Sequence, residues 1–222
     1  QLRRTGSAWC LLIALAVPVI GGGCATQASA RSNETAITVA PSSDLQLLVE
    51  AGGEGATFRF TPGVYRMKQI MPKNGQRFIG QPGVILNGAR VITGWRQENG
   101  KWVAQAPQER LRPHGECEGD TDICKFREDL FVDGKFYRFV GSPGEVGPGT
   151  WHHDGVSLFL SDDPTGRLVE MSALPWAIKS DANNVVLEQL VVEKYASAAQ
   201  FGTIDARDGT GWKMTDVTVQ WN

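Results

Sequence analysis

The run Val185-Val186-Leu187-Glu188-Gln189-Leu190-Val191-Val192-Glu193-Lys194 is answered by Trp212-Lys213-Met214-Thr215-Asp216-Val217-Thr218-Val219-Gln220-Trp221, and this echo decides the fold. Val185, Leu187, Leu190 and Val192 fall on Trp212, Met214, Val217 and Val219 at one constant offset of 27 residues. Lys194 falls on Trp221, the only one of these five steps at which apolar does not meet apolar. A period of this size marks a solenoid. Within each copy the apolar positions alternate over a short Val-rich run, which suits a strand with one buried face and not a helix. One such strand run per turn of roughly 20 to 30 residues is the arithmetic of a stacked β-coil.

The same plan recurs upstream. Residues 56–66 read strand, Pro62-Gly63, strand, and residues 76–88 read strand, Pro82-Gly83, strand. Pro-Gly pairs also stand at Pro143-Gly144 and Pro148-Gly149, and Gly totals 26, so short strands joined by tight turns dominate. One helix is expected, from Asp44 as its cap through Leu45-Gln46-Leu47-Leu48-Val49-Glu50 to a stop at Gly52-Gly53. It would lie across the end of the stack. Residues 95–176 break the coil plan. Asp133-Gly134 between Leu130-Phe131-Val132 and Phe136-Tyr137-Arg138-Phe139-Val140 is a two-residue hairpin signal. Leu158-Phe159-Leu160, Asp163-Pro164-Thr165-Gly166 and Leu168-Val169-Glu170 give a second hairpin with a longer turn.

The order of short helix, Phe60-Thr61-Pro62-Gly63-Val64-Tyr65, then Ile79-Gly80-Gln81-Pro82-Gly83-Val84-Ile85-Leu86-Asn87-Gly88 resembles the start of right-handed parallel β-helix proteins of the pectate-lyase-like superfamily. In that superfamily a Pro-Gly-x-Tyr turn commonly closes the first coil. Glu128-Asp129-Leu130-Phe131-Val132-Asp133-Gly134-Lys135, with Gly147-Pro148-Gly149-Thr150-Trp151 and Ser161-Asp162-Asp163-Pro164-Thr165-Gly166, is similar to an insertion in many bacterial secreted β-helix repeat proteins. The resemblance implies an all-β, right-handed parallel β-helix with an N-terminal capping helix and an inserted small antiparallel lobe. The expected divisions are an export signal over 1–30, cap and first coils over 31–94, lobe over 95–176 and resumed coils over 177–222. It also implies a polysaccharide partner, without fixing an activity, because one fold hosts many functions.

The opening reads as an export signal. Arg3 and Arg4 precede an apolar run from Ala8 to Ile20, interrupted by Pro18 and short for a bilayer span. Two processing sites compete: Gly21-Gly22-Gly23-Cys24, which resembles a lipobox and makes Cys24 a lipid-attachment candidate, and Ala28-Ser29-Ala30. The protein is then expected to be exported, to the periplasm, the outer membrane or the exterior, with membrane contact only through such an anchor. There is no initiating Met, and a strand-like run meets Asn222. The expectation is a piece of a longer chain, with most of an active site beyond Asn222.

About 190 residues remain after the signal, room for one large domain or two small ones. The net charge of -2, with acids and bases interspersed, argues against nucleic acid. A monomer is expected. Cys117 and Cys124, close together in a polar stretch of an exported chain, are a disulfide candidate. Glu116, Glu118, Asp120 and Asp122 around them offer oxygen ligands of the kind calcium takes, but lack the spacing of an EF-hand loop. A solvated, disulfide-closed loop is expected there. Calcium is the one cofactor left open.

Three constellations carry chemistry. His152-His153-Asp154 offers imidazole and carboxylate, yet neighbouring strand residues point to opposite faces, so a structural strand end is expected. Among acid pairs, Asp162-Asp163 sits in a turn, whereas Asp205 and Asp208 lie between two coils, where loops of such stacks build grooves, and are catalytic candidates for a two-carboxylate glycosidase. Lys213, with Lys179, Lys194 and Arg207, is a candidate for the cationic chemistry of a polysaccharide lyase. Trp95, Trp102, Trp151 and Trp176 either pack between lobe and stack or present faces to sugars. The functional expectation is a polysaccharide lyase or glycoside hydrolase-like protein; the alternative is a noncatalytic, carbohydrate-binding or adhesive surface solenoid.

Overall fold

The computed structural model describes residues 36–107, 114–118 and 123–222. The export signal and Cys24 lie outside the described residues, as do Asp120 and Asp122. Among the described residues no helix is long and apolar enough to cross a membrane.

The chain begins with β1 (Ile37–Val39), α1 (Leu45–Gly52), β2 (Thr57–Phe60), β3 (Gly63–Arg66), β4 (Arg77–Ile79) and β5 (Val84–Asn87). Eight strands follow: β6 (Ala89–Val91), β7 (Arg96–Glu98), β8 (Lys101–Gln105), β9 (Leu130–Val132), β10 (Lys135–Phe139), β11 (Thr150–His153), β12 (Ser157–Leu160) and β13 (Val169–Ser172). The last six are β14 (Ile178–Lys179), β15 (Val186–Glu188), β16 (Val191–Glu193), β17 (Ile204–Asp205), β18 (Lys213–Thr215) and β19 (Thr218–Gln220).

The first and last groups interleave. One sheet runs β1-β2-β4-β15-β18 and another β3-β5-β16-β19, with every pairing parallel. A third face is made of β14 beside β17, with Ile70 bridged in parallel to Ile178. The 27-residue echo is the register itself, since Leu187 faces Met214 and Val192 faces Val219. Because β4 pairs with β15 and β5 with β16, the turn of chain before the lobe stacks on the turn after it. The lobe is looped out between them.

Buried side chains stack up the inside. Phe58, Phe78 and Leu187 form one ladder, Tyr65, Leu86 and Val192 another, and all are buried. Each full burial contributes on the order of 1.5–3 kcal/mol, and the Phe58 and Phe78 rings stack 5.1 Å apart. Tyr65, of the Pro-Gly-x-Tyr turn, brings its hydroxyl within 2.8 Å of the Val39 and Thr61 carbonyls, tying the first turn to the second. The Asp44 carboxylate accepts from Leu47 N at 3.3 Å to start α1, which lays Leu45 and Val49 on the core. Gly53, at φ 73°, ends it in a conformation that favours glycine.

The two copies of the echo differ in burial. Val185, Leu187, Leu190 and Val192 are buried, whereas Met214, Val219 and Trp221 are more than half exposed. The sequence treats the copies alike. In the structure β18 and β19 are the edge strands of their sheets, so one side of each is uncovered.

The lobe is a single eight-stranded sheet in the order β6-β13-β9-β10-β11-β12-β8-β7, around its own core of Leu130, Trp151, Leu158, Leu160 and Val169 among others. It differs from the expected lobe in three respects. Among the described residues the lobe holds no hairpin of residues 158–160 with 168–170, since β12 pairs with β11 and β8 whereas β13 pairs with β6 and β9. Its first strand is Ala89–Val91, ahead of Trp95, because β6 pairs with β13 and closes the lobe on itself. One pairing, β10 with β11, is parallel, since residues 140–149, with a 3-10 turn at Pro143–Glu145, carry the chain back across the sheet.

A buried charge cluster fixes the lobe to the stack. Glu170 of β13 receives Arg66 Nη1 of β3 at 2.6 Å and Lys194 Nζ, just after β16, at 2.5 Å. Asn87 of β5 accepts from Arg66 at 3.0 Å and from its own lobe-side neighbour Ala89 N at 2.9 Å. Lys194 also lies 4.9 Å over the Phe131 ring of β9. Burial works against the Glu170 charge, but Lys194 and Arg66 outweigh it and hold its carboxyl below the ordinary range.

Candidate functional site

Parallel pairing sets Lys179 of β14 directly beside Asp205 of β17 on the third face. Lys179 Nζ lies 3.1 Å from Asp205 Oδ2, Arg207 N donates to Asp205 Oδ1 at 3.0 Å, and Arg207 Nε stands 4.0 Å away. Burial opposes the Asp205 charge, yet Lys179 and the Arg207 amide prevail, so the carboxyl is held below its usual value and stays ionised at neutral pH.

This pair forms the floor of a cleft of about 400 Å³. Pro175 and Trp176, which lead the chain from the lobe into β14, border it, as do Phe201 and Gly202 from the approach to β17. Two further groups come from the lobe side: His114, whose ring meets Phe201 edge-on at 5.4 Å, and Arg127. Arg127 Nε is buried without a hydrogen-bond partner among the described residues. The Cys117–Cys124 disulfide forms, and His114 N donates to Lys125 O at 3.0 Å, so the cross-linked segment holds the His114 wall. Aromatic faces beside a small number of convergent charged groups are the lining of a small-molecule site.

The sequence candidates scatter. Asp205 lies in the cleft, but Asp208 is exposed in the following turn and does not line it. Lys213 is exposed on β18, in a different sheet from Asp205. Of the other cations, Lys179 is in the cleft, Arg207 stands 4.0 Å from Asp205 without lining the cleft, and Lys194 is consumed by Glu170. Among the described residues that line the cleft, Asp205 is the one carboxylate, so the acid pair of glycoside hydrolysis is not assembled from them.

Asp163 caps its turn through Thr165 N at 2.9 Å, and Asp162 accepts from Gly149 N at 2.8 Å. His152 and His153 are buried in the lobe, with His152 Nδ1 2.7 Å from Val140 O. Their rings do not diverge as strand alternation implies: they are 6.3 Å apart and both lie against Phe139, because His153 ends its strand. No group of three metal-ligating side chains occurs among the described residues, and Glu116 instead faces Lys125 at 3.4 Å. Trp151 is fully buried, and Trp95 and Trp102 pack on the lobe core, which leaves Trp176 as the cleft tryptophan of the four.

Arg127, His114 and Phe201 carry no pattern that marks them in the sequence. They meet only because the lobe folds back beside the third face. The same holds for Asp129, two residues beyond Arg127, whose carboxyl is pushed up to about 6 by burial and by the neighbouring Glu128.

Fold and cleft together define a predominantly β protein, a stack of parallel strands with a looped-out lobe and a polar, aromatic-bordered cleft beside the junction. No family model and no curated protein matches the sequence. Among solved structures, XylC in complex with xylose is 16% identical, with a TM-score of 0.61 over 75% of this chain and 35% of that one. That likeness is one of fold, and this chain spans about a third of XylC's length. A glycoside hydrolase is 12% identical at a TM-score of 0.38, over 66% of this chain and 44% of its own, too distant to carry an argument.

Proposed function

We propose that this chain belongs to an exported, carbohydrate-active protein built on a right-handed parallel β-helix, and that the cleft floored by Lys179 and Asp205 binds saccharide. The observation that carries this reading is the setting of Trp176 and Phe201, two aromatic borders, about a fixed ion pair and the unpartnered Arg127 Nε. Aromatic rings offer apolar faces to the C–H side of a sugar, while charged groups form the stronger hydrogen bonds with its hydroxyls. Parallel pairing of successive turns supports the β-helix, and the likeness of fold to XylC, a protein solved with xylose, accords with a saccharide ligand. The Cys117–Cys124 disulfide supports an oxidising compartment. An ionised Asp205 fits an acceptor of sugar hydroxyl protons and not a general acid at neutral pH.

The test is calorimetric titration of the protein with neutral and uronate-containing polysaccharides, alongside Trp176→Ala. Binding to one class, weakened about tenfold or more by the substitution, is expected, equivalent to roughly 1.4 kcal/mol. Absence of binding, or equal affinity in the variant, would sink the assignment. The same mixtures, followed for new unsaturated-product absorbance and for reducing ends, separate lyase, hydrolase and purely binding behaviour.

A further inference from the structure

Trp176 borders not one cleft but two. Besides the Lys179–Asp205 cleft, it lines a second of about 470 Å³, on the side of the stack where α1 begins. The second cleft is bordered by Lys68, Gln69 and Met71 from the turn below, with Gln46 of α1. Both open on the third face, where Ile70, Ile178 and Ile204 stand in successive turns. Adjacent strands of a sheet lie about 4.8 Å apart, so the face advances by one such step per turn.

Hydrogen bonds hold the groups around the second cleft. Gln69 Nε2 donates to the Trp176 carbonyl at 3.0 Å, Gln46 Oε1 accepts from Met71 N at 2.9 Å, and Tyr195 OH donates to the Lys68 carbonyl at 2.7 Å. These bonds lock the backbone under the second cleft to the stack and to Trp176. Lys68 adds a cation to the lining of the second cleft, and Trp176 is shared by both clefts.

From this we infer that the two clefts are one extended site, with Trp176 as the shared platform, and that its ligand is an oligosaccharide and not a single sugar. One unit occupies the Lys179–Asp205 cleft, the chain crosses the Trp176 ring, and a further unit meets Lys68. The inference rests on the saccharide reading of the first cleft and adds the length and direction of the ligand. It also makes Lys68 a specificity residue for the second cleft.

The experiment measures affinity against chain length, with xylose to xylotetraose as the neutral series and galacturonic acid to its tetramer as the acidic one, on wild type, Lys68→Ala and Trp176→Ala. The expected result is affinity rising at least about tenfold from monomer to tetramer in one series. Lys68→Ala should remove most of that rise, and Trp176→Ala should weaken monomer and tetramer alike. Amide shifts of Gln69 and Met71 in NMR spectra should move with the tetramer and not with the monomer. They read the second cleft even if a variant folds poorly. Affinity independent of length, a rise indifferent to Lys68→Ala, or still amides at 69 and 71 would overturn the extended site while leaving the first cleft intact. No binding by either series would overturn both.

Discussion

Glu170 gives the sharpest test of how the lobe is held. Its side chain is 2% exposed, that of Lys194 8% and that of Arg66 28%, so the three partners respond differently to its loss. In Glu170→Ala, Arg66 can turn to water. Lys194 cannot, and its remaining acid, Glu193, lies 3.8 Å away. Breaking a buried pair by removing one partner costs about 3–5 kcal/mol, because the other charge stays buried and uncompensated. Most of that cost should trace to Lys194. Replacing both members by apolar side chains of similar volume is often close to neutral, so Glu170→Met with Lys194→Met should be more stable than Glu170→Ala alone. Urea unfolding at pH 7.5 measures each variant and their coupling. The pH dependence has a fixed sign. Since Glu170 is depressed in the folded state, its contribution is full above the ordinary 4.5 and lost as pH falls through the lower folded value, and the double variant lacks this loss. A Glu170→Ala cost under about 1 kcal/mol, or a double variant as unstable as the two singles combined, would refute the reasoning.

Two further outcomes follow from burial. Asp129 titrates near 6, so its charged form is penalised in the folded state: stability is highest below the ordinary 3.8, falls as pH rises toward 6, and the full penalty persists above it. The gap corresponds to about 3 kcal/mol. Asp129→Asn should therefore stabilise the protein at pH 7.5 by up to that amount and leave it unchanged at pH 3, and parallel stability curves for the two proteins would contradict this. Leu190 is 1% exposed between β15 and β16, so Leu190→Asp puts a charge in the stack and should abolish a cooperative melt. An unchanged melting temperature would mean that the apolar stripe does not point inward.

The fold was legible where a local rule repeats. Spacing by 27 residues, alternation over Val185–Val192, the Pro62-Gly63 and Pro82-Gly83 turns and the Asp44 cap all act within a few residues of chain, and each appears in place. The disulfide between Cys117 and Cys124 belongs with them, its partners being seven residues apart. The candidate site was only partly legible. Asp205 was visible because it lies between two strand runs, but its partner Lys179 is 26 positions earlier in sequence, and only the register of β14 on β17 brings them together.

Local rules along the chain set which residues form strands, where they turn, and that successive turns repeat. These are decided by sterics and by side-chain periodicity, which act over short stretches. Long-range packing fixes the rest. Glu170 meets Arg66 across 104 positions, Trp176 serves two clefts, and Gly88 must be glycine because a Cβ there would come within 2.5 Å of the Tyr195 ring. Such contacts depend on the lobe folding back onto stacked turns, and no pattern within either segment encodes where the other will lie.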